Sequence, residues 1–216
     1  MESNDLDGRF ERALEAIDTA NAEDPNSLVY DGQSRPKELL HSQRASHWLA
    51  VLEPAAGELL QLAIRAHHLC RWRLPRDEYP MGRVGYHAWR RELQKRHAGQ
   101  AAELLSSVGY AREEVDRVGV LIRKRGLGRD SEAQVFEDVL CLVFLEIQLE
   151  SFAAAHEPDK VVDILARTLP KMSERAKGMA AQLALTPEMG DLIRRAVERV
   201  SRGSGSSGAS SDRASG

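Results

Sequence analysis

Apolar residues recur at three- and four-residue steps along most of the chain, the spacing that gathers them on one face of a helix. Over residues 6–20, Phe10, Ala13, Leu14 and Ile17 mark such a face, and the pattern stops before the turn signal Asp24-Pro25-Asn26. A loop containing Asp31-Gly32 and Pro36 follows, then a second predicted helix over 37–52, closed by Pro54. A third is predicted over 58–73, with Leu59, Leu62, Ala63, Ala66 and Leu69 on its inner stripe. Residues 74–82 are rich in breakers and long enough to line a site. Helices are then predicted over 86–107, 112–124 and 131–156, separated by Gly109-Tyr110 and Gly126-Leu127-Gly128. Two more follow over 159–169 and 186–202, the second opened by Thr186-Pro187-Glu188. The expectation is an all-α, single-domain bundle over residues 1–200. The Ser/Gly-rich stretch 201–216 has too few apolar residues to offset the entropy of ordering and is expected to be a disordered tail.

Composition agrees with this pattern. Hydrophobic residues are 42% of the 216 and charged residues 29%, enough for a real core, while aromatics are only 5% and β-branched runs are scarce. A net charge of -3 supplies no general attraction to nucleic acid or to an anionic membrane. The two cysteines, Cys70 and Cys141, sit in apolar helical stretches without zinc-finger spacing and are expected to be reduced. The first ten residues are acidic and polar rather than a basic leader, and no segment approaches the roughly 20 apolar residues of a membrane span. A cytoplasmic protein with no membrane partner is expected.

Candidate chemistry lies in four stretches: Leu39-Leu40-His41-Ser42-Gln43-Arg44, Ala66-His67-His68-Leu69-Cys70-Arg71, Arg96-His97-Ala98 and Phe136-Glu137-Asp138-Val139. Taken singly, each histidine reads as a core or capping residue. Glu137 and Asp138 fall inside the helix predicted from Ser131, so their burial would need a partner, and a cation is a natural one. Basic residues flank the 74–82 loop at Arg71, Arg76 and Arg90, beside Tyr79, Tyr86 and Trp89. Most such charges serve as solvated helix faces. A guanidinium fork beside aromatic rings also suits a phosphorylated ligand. Lys171-Met172-Ser173-Glu174-Arg175 echoes the signature loop of class I aminoacyl-tRNA synthetases, but no strand-then-glycine pattern accompanies it.

The order of these stretches resembles the HD-domain phosphohydrolases. In that family a histidine early on one helix is followed, a hairpin later, by a His-Asp doublet, and an aspartate on a later helix completes a metal site. The resemblance spans residues 37–150. The chain departs from it at the doublet, which reads His67-His68. Adjacent helical residues point about 100° apart, so one of the pair is expected to face the site. Over the whole chain, RPKELLHSQR, RWRLPRDEYPMGRVGYHAWR, EDVLCLVFLE and KMSER resemble an uncharacterised family, domain of unknown function 4202. That likeness favours His68 over His67.

The resemblance implies a divalent metal (Mn, Fe, Zn, Ni, Co or Mg) held by His41, His68 and Asp138, with His97 as a further ligand. Glu137 would orient a water or act as general base, and Arg44, Arg71 and Arg76 would neutralise charge on a phosphoryl group. The implied activity is metal-dependent hydrolysis of a nucleotide or another small phosphorylated substrate. The alternative is an inactive HD-like module that binds a nucleotide, RNA or protein partner. The substituted doublet favours that alternative, as does Lys124, where some HD proteins place a histidine.

Overall fold

The computed structural model describes residues 8–206, with side chains to residue 202. Ten helices dominate it: α1 (Arg9–Ala22), α2 (Lys37–Leu52), α3 (Glu58–Ala66), α4 (Arg83–Ser107), α5 (Arg112–Ile122), α6 (Ser131–Val143), α7 (Leu149–Ala154), α8 (Pro158–Thr168), α9 (Glu174–Ala180) and α10 (Pro187–Ser206). The all-α expectation holds. Residues 207–216, the rest of the stretch expected to be a tail, lie outside the described residues.

Where the observed elements depart from the expected ones, local chemistry explains most of the differences. The loop expected after α1 is an antiparallel hairpin, β1 (Ser27–Tyr30) paired with β2 (Gln33–Pro36). Its turn residues Asp31 and Gly32 have φ of 49° and 73°, the positive values that a two-residue turn matched to strand twist requires. The helix expected over 58–73 stops at Ala66, and turns and a short 3-10 segment at Arg71–Arg73 replace its last two turns. α9 starts at the Lys-Met-Ser-Glu-Arg stretch because Ser173 caps it, its Oγ accepting from the backbone N–H of Ala176 at 3.2 Å. The run expected as one helix over 131–156 is interrupted by a π-helical turn at Phe144–Gln148. That run contains neither Pro nor Gly, and nothing in its sequence marks the break.

The chain divides into two compact units, with the boundary between Val139 and Leu140. In the first, α1, α2 and α3 pack together, and α5 packs on α3 and α4. Ile17, Leu40, Leu60, Leu62, Ile64, Leu105 and Leu121 are fully buried there. Ion pairs tie its helices at the margins. Arg65 on α3 donates through Nε to Asp18 Oδ1 on α1 at 2.6 Å, and through Nη1 to Ser46 Oγ on α2 at 3.1 Å. Arg9 makes a two-pronged contact with Glu114 at 2.7 and 3.0 Å. In the second unit, α8 packs on α10, with Val162, Leu165 and Ala196 buried. Arg195 donates to Asp159 at 2.7 Å along that seam. Among the described residues, no helix is long and apolar enough to cross a membrane.

Candidate metal centre

The candidate centre lies in the first unit and is built on the start of α2. Pro36 precedes that helix and offers no side-chain cap, so the orphan N–H groups of its first turn need another acceptor. Asp24 supplies it from a distance. Its Oδ2 accepts from the backbone N–H of Glu38 at 3.0 Å, while its Oδ1 accepts from the N–H of Asn26 at 2.9 Å. Glu38 and His41 follow three positions apart, hence on one helix face, and are only 4% and 3% exposed.

The second contribution is the turn after α3. Cys70 adopts a left-handed conformation, φ 50°, and its backbone N–H donates to Asn21 Oδ1 at 3.0 Å. Asn21 is fully buried in the last turn of α1, so the helix end is pinned from within. This termination brings His67 and His68 together against His41. The ring centroids of His41 stand 5.1 Å from His67 and 4.6 Å from His68, and those of the doublet are 4.2 Å apart. One ligand atom from each of His41, His67 and His68 lies within 4.8 Å of the others, close enough to hold a metal ion. The expectation that only one of the doublet faces the site is thereby corrected, since both histidines lie just beyond the last helical residue. His97, from the middle of α4, brings its ring centroid 5.8 Å from that of His68.

Hydrogen bonds determine which nitrogen each ring presents. Nδ1 of His67 is 2.6 Å from the carbonyl oxygen of Ile64, which can only accept, so that nitrogen carries the proton. Its Nε2 is left as a lone pair, buried with no hydrogen-bond partner. Nδ1 of His68 is 3.0 Å from Glu38 Oε2, which leaves its Nε2 to face elsewhere. His97 bonds to the backbone of His67, and its Nε2 is likewise buried without a partner. Buried polar atoms in folded proteins are nearly always paired, so the partnerless Nε2 atoms of His67, within the triad, and of His97, beside it, are suited to ligate a cation.

Electrostatics keep these rings neutral. Burial holds His67 and His97 down to about 3, and holds His68 well below its usual value. Burial also pushes the Glu38 carboxyl up to about 7, against the opposing pull of Arg71 and Lys37. A neutral imidazole is the form that ligates metals. Arg71 approaches the same carboxylate, its Nε 3.8 Å from Glu38 Oε1, and lies over the Trp89 ring at 4.8 Å.

The other expected site residues are distributed around this cluster. Asp138 is buried but outside the tight triad, and its Oδ1 accepts from Gln134 Nε2 at 3.0 Å. Glu137 is buried on the same helix and pairs with the Lys124 ammonium at 2.7 Å, so the cation its burial calls for is a side chain. Arg44 lies over the Tyr30 ring of the hairpin at 5.4 Å. Arg76 donates to the carbonyls of Tyr79 and Pro80 at 2.8 and 2.9 Å and so clamps its own loop. Two residues absent from the expected set, His67 and Glu38, stand at the centre. Glu38 is legible only as an acidic residue in a helix first turn, three positions before a histidine.

A helical domain with a buried histidine cluster at the meeting of two helices and a turn defines the class of protein. The chain belongs to the family described as "Domain of unknown function (DUF4202)", whose model matches residues 11–193. No curated protein and no solved structure matches the chain.

Proposed function

We propose that this protein is an HD-like, metal-dependent phosphohydrolase that acts on a nucleotide or another small phosphorylated molecule. The observation that carries this reading is the cluster of His41, His67 and His68, with Nε2 of His67 and of His97 buried and unpaired. The chemistry such a centre supplies is a water acidic enough to give a nucleophile near neutral pH. His41 and His68 hold the cation and Glu38 fixes the His68 ring. Arg71, over the Trp89 ring at 4.8 Å, would offer its guanidinium beside the cluster to the phosphoryl oxygens. Arg90 is close enough to Arg71 and His97 to act on both electrostatically, and it adds a second positive charge at that edge.

A second reading is an inactive binding module, favoured by the Lys124–Glu137 ion pair. That pair occupies the carboxylate to which a water-orienting role would fall. The deciding experiment is a screen of nucleotides and phosphomonoesters with Mn, Fe(II), Co, Ni, Zn and Mg, run on the parent protein and on His68→Ala. Turnover that needs a metal and disappears in His68→Ala supports the hydrolase. Tight binding of a phosphorylated ligand without turnover under any metal overturns it in favour of the module.

A further inference from the structure

This inference rests on the reading of the cluster as a metal centre and concerns its donor set. We propose that His67 is itself a ligand, so that the centre is a three-imidazole site of His41, His67 and His68, oriented by Glu38, and takes a borderline d-block ion such as zinc, cobalt(II) or nickel(II) in preference to magnesium or calcium.

Three independent observations converge on it. The first is distance, because the three donor atoms lie within 4.8 Å of one another. Metal–nitrogen bonds of about 2.0–2.1 Å in a tetrahedral field put donors about 3.4 Å apart. Closing around an ion is therefore a matter of side-chain rotation. The second is tautomer. The Ile64 carbonyl accepts a hydrogen bond from the protonated Nδ1 of His67, and Nε2 is left buried with a lone pair and no partner. A buried acceptor of that kind is costly unless an electrophile meets it. The third is outer-shell support. Glu38 Oε2 stands 3.0 Å from Nδ1 of His68, the carboxylate–histidine arrangement that fixes a ligating ring and raises its basicity. The same acid lies 3.8 Å from Arg71, so it joins the ligand cluster to the basic edge.

Donor chemistry then selects the ion. Imidazole nitrogens suit zinc, copper, iron and nickel, whereas magnesium and calcium demand several oxygens. Asp138, the oxygen donor expected from sequence, is outside the triad and accepts from Gln134. Three protein ligands also leave a fourth tetrahedral position open, as catalytic rather than structural zinc sites do. His97, whose ring centroid is 5.8 Å from that of His68, borders the triad and is not needed to complete it.

The test is made on the full chain, stripped with chelator and titrated with cobalt(II), zinc, magnesium and calcium. Binding of about one equivalent of cobalt, with a visible ligand-field spectrum, is expected, and magnesium or calcium in excess should not displace it. His67→Gln keeps a neutral side chain of similar reach and should weaken cobalt binding by at least about 100-fold. Glu38→Gln should weaken it by about 10–100-fold with one equivalent retained. X-ray absorption at the zinc edge of the parent protein counts imidazoles directly, so a variant that fails to fold does not remove the test. Three imidazoles are expected. Two imidazoles with a carboxylate, or cobalt binding unchanged in a folded His67→Gln, overturns the assignment of His67 and leaves the hydrolase reading standing. Three imidazoles with no phosphoester turnover does the reverse.

Discussion

Glu38 and His68 are 30 positions apart in sequence, yet their side chains meet at 3.0 Å, a buried carboxyl against the Nδ1 of a half-buried imidazole. Neither partner is in its ordinary ionisation range. Burial pushes Glu38 up to about 7 and holds His68 well below its usual value. In the absence of a cation the pair is therefore held near neutrality by the same dehydration. A cation at Nε2 of His68 would change the balance, because it requires the proton to remain on Nδ1 and favours an ionised carboxylate to accept it.

Replacing Glu38 by Gln should consequently stabilise the metal-free protein at alkaline pH. A carboxyl group that titrates near 7 when folded and near its ordinary value when unfolded binds more protons in the folded state. Its contribution to stability is thus lost as pH rises through that window. Urea unfolding in chelator at pH 5 and at pH 8 checks this. The Glu38→Gln variant should gain on the parent by on the order of a few kcal/mol between the two pH values. Equal differences at both pH values would show that Glu38 titrates normally.

The buried histidines act in the opposite sense. His67 and His97 titrate near 3 when folded, so below about pH 6.5 the unfolded chain takes up protons that the folded one does not. Stability then falls with acidity at about 1.4 kcal/mol per pH unit for each such ring. Substituting His97 by Gln should reduce the slope between pH 6 and pH 4.5 by about one proton. Saturating zinc should raise stability throughout and leave the histidine part of this slope unchanged, since the rings that would bind it are already neutral when folded. Denaturant titrations with and without zinc measure both. A slope unaltered by the substitution would place the His97 ring in water.

How much of this is readable in the sequence follows from which forces act locally. The helices are, because the recurrence of Ala13 and Ile17, or of Leu62, Ala63 and Ala66, at helical spacing is set by the core they face. A grouping of His41, His68, His97 and Asp138 is implied only by the resemblance to HD-type proteins, and no local spacing carries it; the cluster in the fold is His41, His67 and His68, with the His97 ring beside His68. The family likeness favours His68, and a third helix predicted to run to residue 73 turns His67 away from the site, whereas the real terminator is the buried contact from Asn21 to the Cys70 N–H, 49 positions away. No local signal carries such a contact. Glu38 was hidden for a related reason. An acid in a helix first turn has an ordinary explanation in the helix dipole, and only the tertiary approach of His68 and Arg71 gives it another. The hairpin was available, since Asp31-Gly32 between Ser-Leu-Val-Tyr and Gln-Ser-Arg is a turn signal with strand-like flanks.

Asn21→Ala tests the pin beneath the histidine turn. Removing Oδ1 leaves the Cys70 N–H without an acceptor, in a left-handed conformation that has lost its anchor. The expected cost is about 1–3 kcal/mol of stability, the ordinary penalty of one unsatisfied buried donor. Cobalt(II) affinity should also fall, because the turn carries His67 and His68. A folded variant of unchanged cobalt affinity would mean that the doublet is held in place without Asn21.

The 74–82 loop offers a final prediction, in which two substitutions separate packing from charge. Gly85, near the start of α4, lies so close beneath the loop that an added Cβ would stand 1.9 Å from the backbone oxygen of Pro80. Gly85→Ala must therefore displace the loop backbone, at a cost of about 1–3 kcal/mol or more. Arg76 holds the same stretch of loop through the carbonyls of Tyr79 and Pro80. Its fork reaches two acceptors at once, which a lysine cannot reproduce. Arg76→Lys should accordingly loosen the loop as much as Arg76→Ala does, although it keeps the positive charge. Hydrogen exchange and limited proteolysis across residues 74–82 read the loosening directly. If Arg76 instead acts on a phosphorylated ligand by charge alone, Arg76→Lys would leave the loop protected and preserve ligand affinity, while Gly85→Ala would still open it. The two variants therefore diverge only if the arginine is not a clamp.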